Sequence, residues 1–156
     1  SAMAALTRLL DLGIEPFKLK EETLMRGLIS MRLFKKVCPY CREPLANHPE
    51  RGAYKRVMDA YGDVGLAQVY QRGQGCSHCN GTGNIGRIKA GEIIITNSEF
   101  LRLALAGETD KAVAYWLEEM DGRTLKEAAA SLMLQGIISV DELERWVGQL
   151  DQPGVY

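Results

Sequence analysis

No run of eighteen apolar residues occurs in this chain of 156, so no segment qualifies as a membrane-crossing helix. A basic stretch leading into a short apolar core is also missing from the start, and no secretory signal is expected. Neither charge dominates: 19 Lys and Arg stand against 20 Asp and Glu, a formal net charge of −1. That balance sets up no whole-molecule field to draw in nucleic acid or an anionic membrane. What remains is ordinary globular material, 46% hydrophobic and 25% charged. A chain of this length buries about 70% of its unfolded surface, enough for a core without disulfides.

The four cysteines are few but arranged. Cys38 and Cys41 form one C-x-x-C pair, Cys76 and Cys79 another, with 34 residues between the pairs. Two thiolates two residues apart can reach one ion from a tight turn, and two such turns complete a tetrahedron around zinc. The long spacer matters little, because each doubling of a flexible loop costs about 0.6 kcal/mol, against roughly 10–16 kcal/mol for a structural zinc site. Pro39 stiffens the first turn. Five glycines from Gly73 to Gly86 permit the positive-φ geometry that aims backbone N–H groups at sulfur. Two disulfides would require an oxidising compartment that nothing here implies, and a thioredoxin-like site needs one pair only. Structural Zn2+ on Cys38, Cys41, Cys76 and Cys79 is therefore expected, with no open position for catalysis. His48 and His78 are expected to be bystanders, since His78 between two ligands would strain the turn.

The periodicity predicts a mainly α chain with a small β component. A helix over 4–12 stops at Gly13. Residues 21–36 carry Leu24, Met25, Leu28, Ile29, Met31, Leu33 and Phe34 around most of a helical circumference and predict a buried helix. Pro49 begins another, ending at Gly62. Residues 66–71 and 92–96 predict strands. Four helices follow, with capping boxes at Thr124 with Glu127 and at Ser139 with Glu142. Trp116 and Trp146 sit on apolar stripes and are expected to anchor the core.

Four blocks in order carry a resemblance: "LTRLLDLGIEPFKL" (6–19), "LFKKVCPYCREPL" (33–45), "GCSHCNGTGNIGR" (75–87) and "GRTLKEAAASLMLQGIISVDELERWV" (122–147). Together they resemble the C-terminal region of the type II and type IV secretion ATPases, whose tetracysteine zinc positions fall on Cys38, Cys41, Cys76 and Cys79. The resemblance implies the C-terminal part of a RecA-like ATPase domain, a tetracysteine zinc-knuckle subdomain and a C-terminal helical bundle. It divides the chain into a cloning scar (1–3), C-terminal helices of a truncated ATPase core (4–37), the zinc subdomain (38–86) and a strand with a helical subdomain (87–156). It also implies a homo-hexamer, peripheral at the cytoplasmic face of the bacterial inner membrane, that drives secretion or pilus assembly through an integral-membrane platform protein. ATP and Mg2+ would bind only in a longer parent, because this chain has no G-x-x-x-x-G-K-[ST] phosphate loop. Helices cut from their sheet would leave a sticky apolar face over residues 4–36. The joint at Ile88–Gly91 departs from the family pattern, and no role is assigned to Arg87.

Two other classes are weighed. A zinc-ribbon nucleic-acid module draws support from Lys18, Lys20, Arg26, Arg32, Lys35, Lys36 and Arg42, but no aromatics interleave as a stacking platform. A solvated or partner-facing helix edge is the better reading of that segment. The glycine-rich knuckle is also similar to the zinc region of DnaJ-type chaperones, yet those carry four tandem copies and this chain has one.

Overall fold

The structure, a computed structural model, describes residues 1–152. It contains seven α-helices and four strands among those residues: α1 (Ala2–Asp11), α2 (Pro16–Leu19), β1 (Gly27–Val37), β2 (Glu43–Pro44), α3 (Gly52–Leu66), β3 (Tyr70–Gln71), β4 (Asn84–Ile95), α4 (Ser98–Leu105), α5 (Thr109–Glu119), α6 (Leu125–Leu134) and α7 (Val140–Val147). β1 pairs with β4 and β2 with β3, each as a two-stranded sheet. Gly27 lies beside Ile94, Gly91 against Met31 and Gly86 beside Lys36, so β1 and β4 run antiparallel.

Residues 21–36 correct the sequence reading. They do not form a helix: a turn closes at Met25, whose N–H donates to the Glu21 carbonyl at 2.9 Å, and β1 begins at Gly27. A run that is apolar at nearly every position satisfies a period of two as well as one of 3.6. The partner strand β4 decides between them. The 92–96 strand is real but begins eight residues earlier, so Ile88–Gly91 lies inside β4. Of the 66–71 expectation only Tyr70–Gln71 is strand. The predicted stop at Gly62 is a kink, with φ 65°, after which α3 resumes to Leu66.

Helix ends follow the punctuation closely. After α1, the Ile14 N–H donates to Leu9 and the Gly13 N–H to Leu10; Gly107 after α4 and Gly136 after α6 repeat the pattern. These are Schellman motifs, each with a positive-φ glycine where other residues would be strained. Ser1–Met3, expected to be a cloning scar, cap and open α1, with Ala2 and Met3 buried.

The chain divides into two compact units, Ser1–Met31 with Gly91–Leu125, and Arg32–Ala90 with the described residues from Lys126. In the first, Leu6, Leu28, Ile94, Phe100, Leu101 and Trp116 belong to one apolar cluster. Glu92 is buried there, accepting from the backbone N–H groups of Ala2 and, at 3.0 Å, Leu125. A carboxylate on the first N–H groups of helices is favoured by their orphan donors and dipoles. Of the apolar face expected over residues 4–36, Leu12, Phe17, Leu24, Ile29 and Met31 are exposed, and so are Ile93 and Ile95 on β4. Leu6, by contrast, is buried and Leu9 and Leu10 pack against the cluster.

The core of the second unit includes Phe34, Val37, Leu45, Val57, Val69, Met133, Ile138 and Leu143. Here the Ser139 hydroxyl caps α7 by accepting from the Glu142 N–H at 3.2 Å. The Glu142 carboxylate does not complete a capping box. It accepts instead from the Lys35 N–H at 2.9 Å and the Trp146 indole N–H at 3.3 Å. Trp116 is a core residue as expected, but Trp146 is 42% exposed and is no core anchor.

Candidate metal centre

Cys38 and Cys41 follow directly from the end of β1. The Cys41 and Arg42 N–H groups both turn back to the Cys38 carbonyl, at 3.3 and 2.9 Å, so the first C-x-x-C is a tight knuckle. The second knuckle begins as a short 3-10 turn at Ser77–Cys79 and is left through Asn80 in the left-handed region. The spacer is closed locally. β2 and β3 pair antiparallel, Glu43 with Gln71 and Pro44 with Tyr70, which returns the chain beside its starting point. The Cys38 N–H donates to the Gly83 carbonyl at 3.0 Å and joins the two knuckles directly.

Glycine is required here by contact as well as by φ. A Cβ on Gly73 would stand 1.7 Å from the Cys41 carbonyl oxygen, and one on Gly83 (φ 70°) 2.4 Å from the Gly73 oxygen. No side chain fits either place. The sequence showed the glycines but could not show which backbones they let approach.

The four sulfur atoms lie within 4.8 Å of one another. The Cys38–Cys76, Cys41–Cys79 and Cys76–Cys79 separations are 3.8, 3.9 and 3.8 Å. A tetrahedron with metal–sulfur distances of about 2.3 Å has sulfur–sulfur edges of about 3.8 Å. All four cysteines are free of disulfides. The donor set therefore fits one soft, tetrahedral ion, and the four cysteines singled out from the sequence are brought together.

Electrostatics within the cluster are uneven. Cys79 Sγ accepts from the Cys76 N–H at 3.2 Å and the Gly83 N–H at 3.1 Å. The Cys76 N–H first, with help from that of Gly83, pulls the Cys79 thiol down to about 6. Burial, and then hydrogen bonds from the neighbouring sulfurs, push Cys41 up to about 12. Several thiolates this close repel one another, and a bound cation removes that penalty by holding each in the deprotonated form.

Neither histidine joins the sulfur cluster. His78 Nδ1 is 4.0 Å from Cys76 Sγ, and its ring stacks on Tyr40 with centroids 3.8 Å apart. His48 lies between Glu43 and Glu50. What sequence reasoning missed is the polar frame around the knuckles. Arg42 lies over the Tyr70 ring at 3.9 Å and donates to the Gly136 carbonyl at 2.6 Å. Arg51 donates to Gln71, which donates to Glu43. Only the adjacency of Arg42 to Cys41 could have suggested a role.

The family described as type II/IV secretion system protein matches residues 1–145. This chain belongs to that family. It is 30% identical over 142 residues to the type IV pilus assembly ATPase PilB of Thermus thermophilus, covering 91% of this chain and 15% of that protein. It is 32% identical over 149 residues to type II secretion system protein E of Dickeya dadantii, covering 93% of this chain and 27% of that protein. The corresponding protein of Pseudomonas aeruginosa is 28% identical over 145 residues, again 93% and 27%. The chain thus spans between about one seventh and about one quarter of these relatives' length. Among the described residues no helix is long and apolar enough to cross a membrane.

Proposed function

We propose that this chain is the zinc-stabilised C-terminal portion of a secretion or pilus-assembly ATPase. One Zn2+ sits on Cys38, Cys41, Cys76 and Cys79 and is structural. The observation that carries this reading is the set of sulfur–sulfur separations of 3.8–3.9 Å, the edges of a zinc tetrathiolate, in a chain of this family. Four protein ligands leave no position for water or substrate, so the ion does no chemistry. Its work is to fix two knuckles 34 residues apart in sequence and, through Arg42 and the β2–β3 pair, to set the frame that α6 and α7 pack against.

In the assembled machine the chain transmits or receives motion. It does so within a homo-hexamer at the cytoplasmic face of the inner membrane, against an integral-membrane platform protein, while ATP and Mg2+ occupy parts of the protein not represented in these 156 residues. Elemental analysis of the purified chain should give one zinc per chain, falling to zero on Cys76→Ser with Cys79→Ser. A folded chain whose four thiols all react freely, with no metal, would remove the proposal. Mg-ATP should leave the melting temperature unchanged. A ligand at 100 times its dissociation constant stabilises by about 2.7 kcal/mol, so a nucleotide-induced rise would mean that these residues hold a nucleotide site.

A further inference from the structure

Trp146 lies half-exposed in the last turn of α7, with two guanidinium groups over its ring. Arg32 Cζ is 5.4 Å and Arg145 Cζ 5.5 Å from the ring centroid. Both arginines are exposed, and among the described residues neither has a carboxylate partner. The nearby acids are committed elsewhere. Asp141 pairs with Arg51, Glu144 pairs with Arg56, and Glu142 accepts from the Lys35 N–H and the Trp146 indole. A guanidinium stacked on an aromatic face is already oriented, keeps its donors free, and loses little freedom when it meets a carboxylate. Exposed tryptophan and arginine together are the composition that carries most of the binding energy at protein interfaces.

We propose that Arg32, Arg145 and Trp146 form a docking point for an acidic segment of a partner protein. Two carboxylates of that segment would meet the two guanidiniums, and an apolar side chain would lie against the uncovered part of the indole. The occupant follows from charge complementarity. A nucleic acid is the poorer fit, because the ring face that a base would stack on is engaged by guanidinium. Phosphate binding also draws on a track of several cations, and two basic residues of the 17–42 segment are engaged within the fold, Arg42 on Tyr70 and Gly136, and Lys18 on Glu15. Within the basic segment read from the sequence, Arg32 on β1 is the residue matched across the Trp146 ring with Arg145 on α7.

The test is a titration of the isotope-labelled chain with a short peptide of alternating glutamate and leucine, followed at the two indole N–H resonances. The Trp146 resonance should shift and that of buried Trp116 should not. Arg32→Gln with Arg145→Gln should weaken binding at least about tenfold, near 1.4 kcal/mol, with the Trp116 resonance unmoved as the sign of an intact fold. Trp146→Leu should retain part of the affinity, since the charges remain. No shift of Trp146 at saturating peptide would overturn the proposal, as would equal affinity in the double arginine variant. Tighter binding of a mixed-sequence single-stranded oligonucleotide than of the peptide would assign the surface to nucleic acid and overturn it too.

Discussion

The two units are ordered by different means. The first closes around a single apolar cluster, and its one buried acid, Glu92, is spent on backbone N–H groups. The second has an apolar core as well, but adds the four-sulfur cluster and charged side chains that span long stretches of sequence: Arg42 to Gly136, Arg51 to Asp141, Arg56 to Glu144. A packed cluster tolerates exchange among apolar residues of similar volume. A constellation of thiolates and guanidiniums tolerates very little, because a lost partner leaves a charge or donor that burial makes costly. The first unit is accordingly specified by volume and the second by chemistry.

The sharpest way to break that contrast is to remove the proposed zinc. A structural zinc site contributes on the order of 10 kcal/mol. Cys79→Ser or strong chelation should therefore strip hydrogen-exchange protection from residues 38–41 and 76–83 while Phe100 and Trp116 keep theirs. Equal loss in both units would show that the first is not self-sufficient. Phe100→Ala comes next. It empties a fully buried site and should cost about 3–5 kcal/mol in denaturant unfolding, whereas Ile93→Ala, 55% exposed, should stay within about 0.5 kcal/mol. Large effects at both would mean that the outer face of the strands is covered in solution.

Smaller still is the Arg56–Glu144 pair, bidentate at 2.6 and 2.6 Å and largely buried. The hydrogen bond and charge of Glu144 raise the Arg56 pKa above its usual value. A double-mutant cycle with Arg56→Ala and Glu144→Ala should return a coupling of about 1–3 kcal/mol, little changed by added salt. A coupling near zero would remove the chemical half of the comparison. The least effect belongs to an exposed pair in the first unit, Glu99 with Arg102. The Arg102 hydrogen bond holds the Glu99 carboxyl below its ordinary value. A depressed acid contributes stability that is present above the ordinary carboxylate value and lost as pH falls through the lower folded one. Arg102→Ala should move the Glu99 titration midpoint upward, read by NMR, with no resolvable change in the melting temperature.

Local rules were enough wherever a residue's role depends on its neighbours in sequence. The glycine stops after α1, α4 and α6, the Ser139 cap, the Trp116 stripe and the two C-x-x-C knuckles are all legible because a turn or a cap is closed within a few residues. That Cys38, Cys41, Cys76 and Cys79 come together was also legible in the sequence, since two C-x-x-C turns can aim four sulfurs at one point. Tertiary structure decided what local pattern left degenerate. Residues 27–37 are a strand because β4 lies beside them, as their apolar run suits either period. Trp146 faces outward because Glu142 turns to the Lys35 N–H and takes the indole with it, and Glu92 is buried because two N–H groups distant in sequence meet at its carboxylate. The backbone N–H groups that fix Glu92 and Glu142 lie between 33 and 107 positions away, and no window read along the chain contains both members of such a pair.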